Sequence, residues 1–187
     1  MGKTTTARMF AELGVPVWDA DAAVHRIYAA GGDGARALSD IAPDAIEEDG
    51  GVSRAALRTA IADNPDLLYR IEARIHPLVA EDRAAFLAEH EGEDIVVLDI
   101  PLLFETGGTG LVDKVAVVST SAEEQRRRVL ERPGMDAETF ERLLARQVPD
   151  AEKRARADFI IRTDDLATAR SDVEHLLREI RAGKDHA

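Results

Sequence analysis

The sequence predicts an α/β fold in which a parallel sheet is covered by helices on both faces. Four short segments rich in Val or Ile, at 15–19, 95–100, 115–120 and 158–163, alternate with helical stretches. That order generates parallel strands joined by helical crossovers. The runs Ile95-Val96-Val97-Leu98 and Val115-Ala116-Val117-Val118 are continuously apolar, as strands buried on both sides are. The third observation is the opening Gly2-Lys3-Thr4-Thr5-Thr6, which runs straight into a helical pattern.

A chain of 187 residues suits one domain, or one core carrying an inserted lobe. With 24 Lys and Arg against 36 Asp and Glu, the net charge is −12, and aromatic residues make up 4%. A nucleic-acid surface wants a basic face with stacking rings, so no nucleic-acid partner is expected. No apolar run reaches membrane-spanning length, because Asp99 and Pro101 interrupt the best one, and no membrane partner is expected either. The absence of cysteine removes disulfides, thiolate metal sites and cysteine nucleophiles, and fits a reducing compartment. No secretory signal is read at the start, and a cytoplasmic location is expected. Twenty of the 24 cations are Arg, a ratio that general composition bias explains, and no oligomeric state is read from the sequence.

Gly2-Lys3-Thr4 is the tail of G-x-x-x-x-G-K-[ST]. In that loop backbone N–H groups cradle nucleotide phosphates, the lysine reaches the outer ones and the hydroxyl binds Mg²⁺. Ala7, Phe10 and Leu13 follow at helical spacing, Gly14 stops the helix, and Val15 to Asp19 reads as a strand. The lysine thus stands at a helix N-terminus, where the macrodipole favours anions. The strand and the glycine that precede such a tail are not in this sequence. A truncated chain, or one begun at an internal methionine, is expected, with the central strand of its sheet missing and the activity belonging to the full-length product.

Asp19 and Asp21 follow a strand directly, at the edge where ligands bind in open α/β sheets. Two roles are open to Asp21: accepting the proton of an attacking hydroxyl, or capping the helix Ala22-Ala23-Val24-His25-Arg26-Ile27-Tyr28. Asp99 ends a hydrophobic strand, a pattern that supplies an Mg²⁺-associated carboxylate in phosphate-loop enzymes. Pro101 to Glu105 forms an apolar turn that delivers Glu105 near the same edge or leaves it solvated. His76 sits before Pro77, which is read as the first residue of a second helix, so His76 either reaches a ligand or serves the junction. Residues 121–156 hold nine cations and eight anions on an otherwise acidic chain. Within them Arg128 and Arg132, four apart, are read as one helical face, either a phosphate clamp or a solvated surface paired with Glu124 and Glu131.

The blocks GKTTTARMFAELGVPVWDAD, SRAALR, IEARIHPLV, DIPLLFE, QRRRVLER and QVPDAEKRARADFII, in that order over nearly the whole chain, resemble the dephospho-coenzyme A kinase family. The resemblance implies a three-layer phosphate-loop nucleoside-triphosphatase fold of the nucleoside monophosphate kinase type. Its core would comprise 1–21, 91–120 and 157–187, with a coenzyme A lobe at about 22–90 and a lid at about 121–156. It implies transfer of the ATP γ-phosphate to the ribose 3′-hydroxyl of dephospho-coenzyme A, the last step of coenzyme A synthesis, with Mg²⁺. On the matching positions, Gly2, Lys3, Thr4 and Thr5 would take the ATP phosphates, and Thr4 and Asp99 would hold Mg²⁺ through water. Asp21 would be the base, His76 and Glu105 would line the acceptor side, and Arg128 and Arg132 would belong to the lid. Arg162-Thr163-Asp164-Asp165 departs from the family's Asn-containing turn, where adenine is placed. The competing expectations are another small-metabolite or nucleotide kinase of this fold, and a non-catalytic remnant that keeps the substrate lobe as a binding module.

Overall fold

Helix α1 (Lys3–Glu12) ends where Gly14 adopts φ 79°, a left-handed conformation that most side chains resist. The N–H of Val15 then reaches back to the carbonyl of Phe10 at 3.1 Å and that of Gly14 to Ala11 at 3.0 Å, the paired closure of a Schellman motif. The computed structural model describes residues 2–184. Strand β1 (Val17–Asp19) leads into α2 (Ala20–Tyr28), and α3 (Asp33–Leu38), α4 (Arg54–Asp63) and the long α5 (Asp66–Glu89) follow before β2 (Val97–Asp99). Beyond it come β3 (Ala116–Ser119), α6 (Ala122–Leu130), α7 (Ala137–Leu144), α8 (Asp150–Ala155), β4 (Phe159–Arg162) and α9 (Leu166–Lys184).

The strands pair as two two-stranded sheets, β1 with β2 and β3 with β4. The second pair is parallel, with Ala116 opposite Phe159 and Ser119 opposite Arg162. The observed strands are one or two residues shorter at most ends than the apolar runs that predict them, because end residues frequently lack a ladder partner.

The chain divides into two units, one of Trp18–Leu98 and one of the residues up to Val17 together with those from Asp99 onward. The first is helical and is built around Ile27, Leu38, Leu57, Leu67, Ile71 and Ile75. The spacing of Leu67, Ile71 and Ile75 puts one apolar stripe of α5 inward. Trp18 is buried, and its indole N–H donates to Asp82 Oδ1 at 2.7 Å while Arg26 Nη2 meets the same carboxylate oxygen at 2.6 Å. The Arg26 hydrogen bond, helped by Trp18, holds the Asp82 carboxyl below its ordinary range in spite of partial burial.

In the second unit α9 covers β4 and α1 with Ala169, Val173, Leu176 and Leu177, one face of a 3.6-residue period. Asp165 caps α9 by accepting the N–H of Thr168 at 2.8 Å. At the opposite end of the strand pair Asp158 accepts the N–H of Val115 at 2.8 Å and pairs with Lys114 at 2.9 Å. The Val115 N–H is the larger reason that this carboxyl lies below the usual range.

Candidate active site

Gly2 stands ahead of α1 with φ 90°, and a Cβ placed there would lie 3.1 Å from Thr163 Cγ2. Only glycine brings the turn this close to the end of β4. The first turn of α1 contains no acidic residue, so its free N–H groups and positive dipole end are not offset locally. Lys3 occupies the first helical position, and its Nζ lies 2.6 Å from Asp99 Oδ1. The lysine side chain is 43% exposed and the aspartate 6%, so a buried carboxylate at a strand end holds a cation whose flank is open. Thr4 and Thr5 are exposed.

Beside this tip lies a cavity of about 230 Å³, with Gly2, Thr5 and Thr6 on one wall and Thr163, Asp164 and Leu166 on another. Arg128 also lines it, donating from Nη2 to the carbonyl of Asp164 at 3.2 Å and from Nε to Glu124 at 2.6 Å. Glu124 is pulled down to about 2 by the Arg127 hydrogen bond first and by Arg128 in addition. Glu131 pairs with Arg127 at 2.7 Å.

Arg132 does not share a helical face with Arg128. Helix α6 ends at Leu130, and Arg132 lies exposed in the following turn. Pro133 is the cause, since a residue before proline is driven out of helical geometry.

Glu105 reaches the segment around α8. Its Oε1 accepts the N–H of Val148 at 3.0 Å and meets Lys153 Nζ at 2.7 Å, with the two side chains only 13% and 16% exposed. Burial works to raise the Glu105 carboxyl, but Lys153 and the Val148 N–H outweigh it and the group is held below the usual range. Next to this pair Arg156 stacks over the Phe104 ring at 4.8 Å. The turn that delivers Glu105 carries Leu102 at φ 57°, a left-handed conformation uncommon for a leucine.

In the Trp18–Leu98 unit, Asp21 is exposed in the first turn of α2. It is not the cap of that helix. Asp19 is, accepting the N–H of Ala22 at 3.0 Å, because the chain leaves the strand at Asp19 and its side chain stands where the first free N–H groups point. His76 is exposed on α5, and no helix junction exists there. Pro77 lies inside a continuous 24-residue helix rather than at the start of a second one. Proline removes the bond to the carbonyl of Ala73, but Leu67, Ile71 and Ile75 before it and the partly buried Leu78 and Val79 after it pack on one core, and the helix runs through.

The motif reading did not single out Thr6, Lys153 or Asp82. A third threonine in a run and a lysine or aspartate on a polar helix face carry no signal until their neighbours are known.

The family model described as Dephospho-CoA kinase matches residues 1–168. The chain belongs to the dephospho-CoA kinase family. A dephospho-CoA kinase of Jannaschia sp. is 55% identical over 183 residues, covering 98% of this chain and 93% of that protein. One from Ruegeria pomeroyi is 52% identical over 187 residues, covering 100% and 94% respectively. Among solved structures, a Thermus thermophilus protein superposes with a TM-score of 0.74 at 32% identity, covering 97% of this chain and 91% of that one. A dephospho-CoA kinase from Campylobacter jejuni gives 0.74 at 25% identity, covering 98% and 93%. The family's phosphate-loop kinase fold, a mixed α/β architecture with parallel strands, is therefore the fold of this chain, and the chain is a phosphotransferase of that family.

Proposed function

We propose that this chain transfers the γ-phosphoryl group of ATP to the ribose 3′-hydroxyl of dephospho-CoA. The observation that carries this reading is the open lysine at a helix tip whose first turn holds no acidic residue, steadied by the buried carboxylate of Asp99. Such a tip suits a triphosphate, since the N–H groups and the ammonium both favour negative charge.

Gly2, Lys3, Thr4 and Thr5 take the ATP phosphates through backbone N–H groups, the ammonium and hydroxyls. Asp21 accepts the proton of the 3′-hydroxyl as its oxygen bonds to the γ-phosphorus. The bond from that phosphorus to the bridging oxygen breaks, and ADP leaves. Arg128 and Arg132 supply cationic groups toward the phosphates from the 121–156 lid, and the acceptor lies against the 22–90 lobe, with His76 and Glu105 on its side. This chemistry depends on positioning and charge neutralisation more than on covalent work.

Among the described residues no cluster of three or more His, Asp or Glu side chains forms a protein cage for a metal. Mg²⁺ does not need one, since it keeps several waters and is shared with substrate phosphates. The exposed Thr4 hydroxyl and the Asp99 carboxylate, acting through water, form a donor set that fits it. When bound, Mg²⁺ neutralises charge on the phosphate oxygens. No described helix is long and apolar enough to cross a membrane.

Product analysis tests the assignment: Mg-ATP with dephospho-CoA should give ADP and CoA in equal amounts. Turnover with nucleoside monophosphates and none with dephospho-CoA would replace it by another kinase activity of the same fold.

A further inference from the structure

We propose that Asp82 is a positioning residue for Asp21, fixing from α5 the turn of α2 that carries the base. The inference rests on the reading of Asp21 as the base toward the 3′-hydroxyl, and all the residues it uses lie in the Trp18–Leu98 unit. Asp21 is exposed in the first turn of α2, and among the described residues nothing pairs with its carboxylate. A group without partners of its own is placed only as well as the backbone beneath it. Proton abstraction needs the carboxylate oxygen within about 2.6 to 3.2 Å of the hydroxyl, so that backbone has to be held.

Apolar packing alone does not fix it. Ala23 and Ile27 are the buried residues of α2, and Ile27 shares its core with Ile71 and Ile75 of α5. Such burial is non-directional, and the stripe of α5 that supplies it lies before Pro77. Asp82 lies beyond that proline and adds what packing lacks. Its Oδ1 accepts the indole N–H of Trp18 at 2.7 Å and Nη2 of Arg26 at 2.6 Å, while its Oδ2 accepts Nε of Arg26 at 3.2 Å. Trp18 precedes Asp21 and Arg26 follows it, so one carboxylate grips the chain on both sides of the base. The two-pronged guanidinium contact fixes an orientation as well as a distance.

Stability does not account for this geometry. The Arg26 side chain is 56% exposed, and an ion pair so open contributes little to folding. What the clamp does set is the rotation and height of the first turn of α2 against the end of β1, the two features that aim Asp21. Asp19 caps the same turn through the N–H of Ala22, so the strand end, the cap and the clamp leave the base little freedom beyond its own side-chain torsions.

Steady-state kinetics of the full chain with ATP and dephospho-CoA test this in Asp82→Ala and Asp82→Asn, each with and without Asp21→Asn. Asp82→Ala should lower kcat about 10- to 100-fold, as a reacting group displaced by about 1 Å does. KM for ATP should stay within about twofold, because the residues proposed to take its phosphates lie outside this unit. Asp82→Asn keeps an oxygen for the indole and loses the charged fork, and it should show the same split at about three- to tenfold. In the Asp21→Asn background no base is left to aim, and Asp82→Ala should cost about twofold or less. Assays run well below each thermal midpoint keep unfolding out of kcat, and Asp82→Asn carries the same test should Asp82→Ala not fold. The parent kcat in both Asp82 variants overturns the inference alone. An equal fold loss with and without Asp21→Asn overturns it in favour of a purely structural clamp. Near-normal turnover in Asp21→Asn itself overturns the base reading and the inference with it.

Discussion

Replacing Lys153 by Met removes the ammonium while keeping an apolar stem of similar length. Glu105 then remains in a site where its side chain is 13% exposed, with Oε1 accepting from the Val148 N–H and Oε2 buried without a partner among the described residues. Breaking a buried ion pair by removing one member typically costs about 3 to 5 kcal/mol. Because Val148 continues to donate, the expected loss falls at or below the lower edge of that range, about 2 to 3 kcal/mol. For a chain of this size that lowers the thermal midpoint by about 4 to 12 °C.

The pH dependence follows from the direction of the Glu105 shift. Its folded-state value lies below the ordinary 4.5, so in the parent it contributes stability above that value, lost as pH falls through the lower folded one. In the variant, burial acts without the ammonium and pushes the carboxyl upward. The penalty should therefore be largest near pH 7 and shrink on acidification, as protonation relieves the stranded charge. Urea unfolding at pH 7 and at pH 4.5 measures both, with Glu105→Gln/Lys153→Met as the control that removes the charge and recovers most of the loss. A Lys153→Met penalty below about 0.5 kcal/mol at pH 7, or one that does not diminish on acidification, would refute the reasoning.

Lys3→Met should lower kcat/KM for ATP by at least about a hundredfold, since it removes the cation at the helix tip. It should also destabilise the chain by about 1 to 3 kcal/mol by leaving Asp99 buried and unpaired, which urea titration reads independently of activity. Asp21→Asn should reduce kcat by about 10² to 10⁴ if the carboxylate is the base, with ATP affinity unchanged by calorimetry. Near-normal turnover would reduce Asp21 to a favourable charge in the first turn of α2.

Part of the candidate site was legible in the sequence because its signals are local. Lys3 directly after Gly2, Asp99 at the end of an apolar run and Asp19-Ala20-Asp21 after a short strand are sequence neighbours of the elements that position them. The failures share a cause. Pro77 reads as a helix start by its own backbone restriction, but the buried stripe Leu67-Ile71-Ile75 keeps α5 running through it. Of the two roles open to Asp21, capping falls instead to Asp19, whose carboxylate accepts the Ala22 N–H. Arg132 reads as helical by spacing until Pro133 ends the helix before it.

By itself the sequence determined the alternation of strands and helices, the glycine-lysine start of α1 and the family, because hydrophobic period, turn chemistry and motif order are written along the chain. Only the tertiary structure decided that Lys3 meets Asp99, that Glu105 ties the turn after β2 to Val148 and Lys153, and that Thr6 keeps an unspent hydroxyl at a cavity wall. Each of these joins residues from different elements or depends on what a side chain fails to meet. Packing sets such relations, and the order of residues along the chain does not record them.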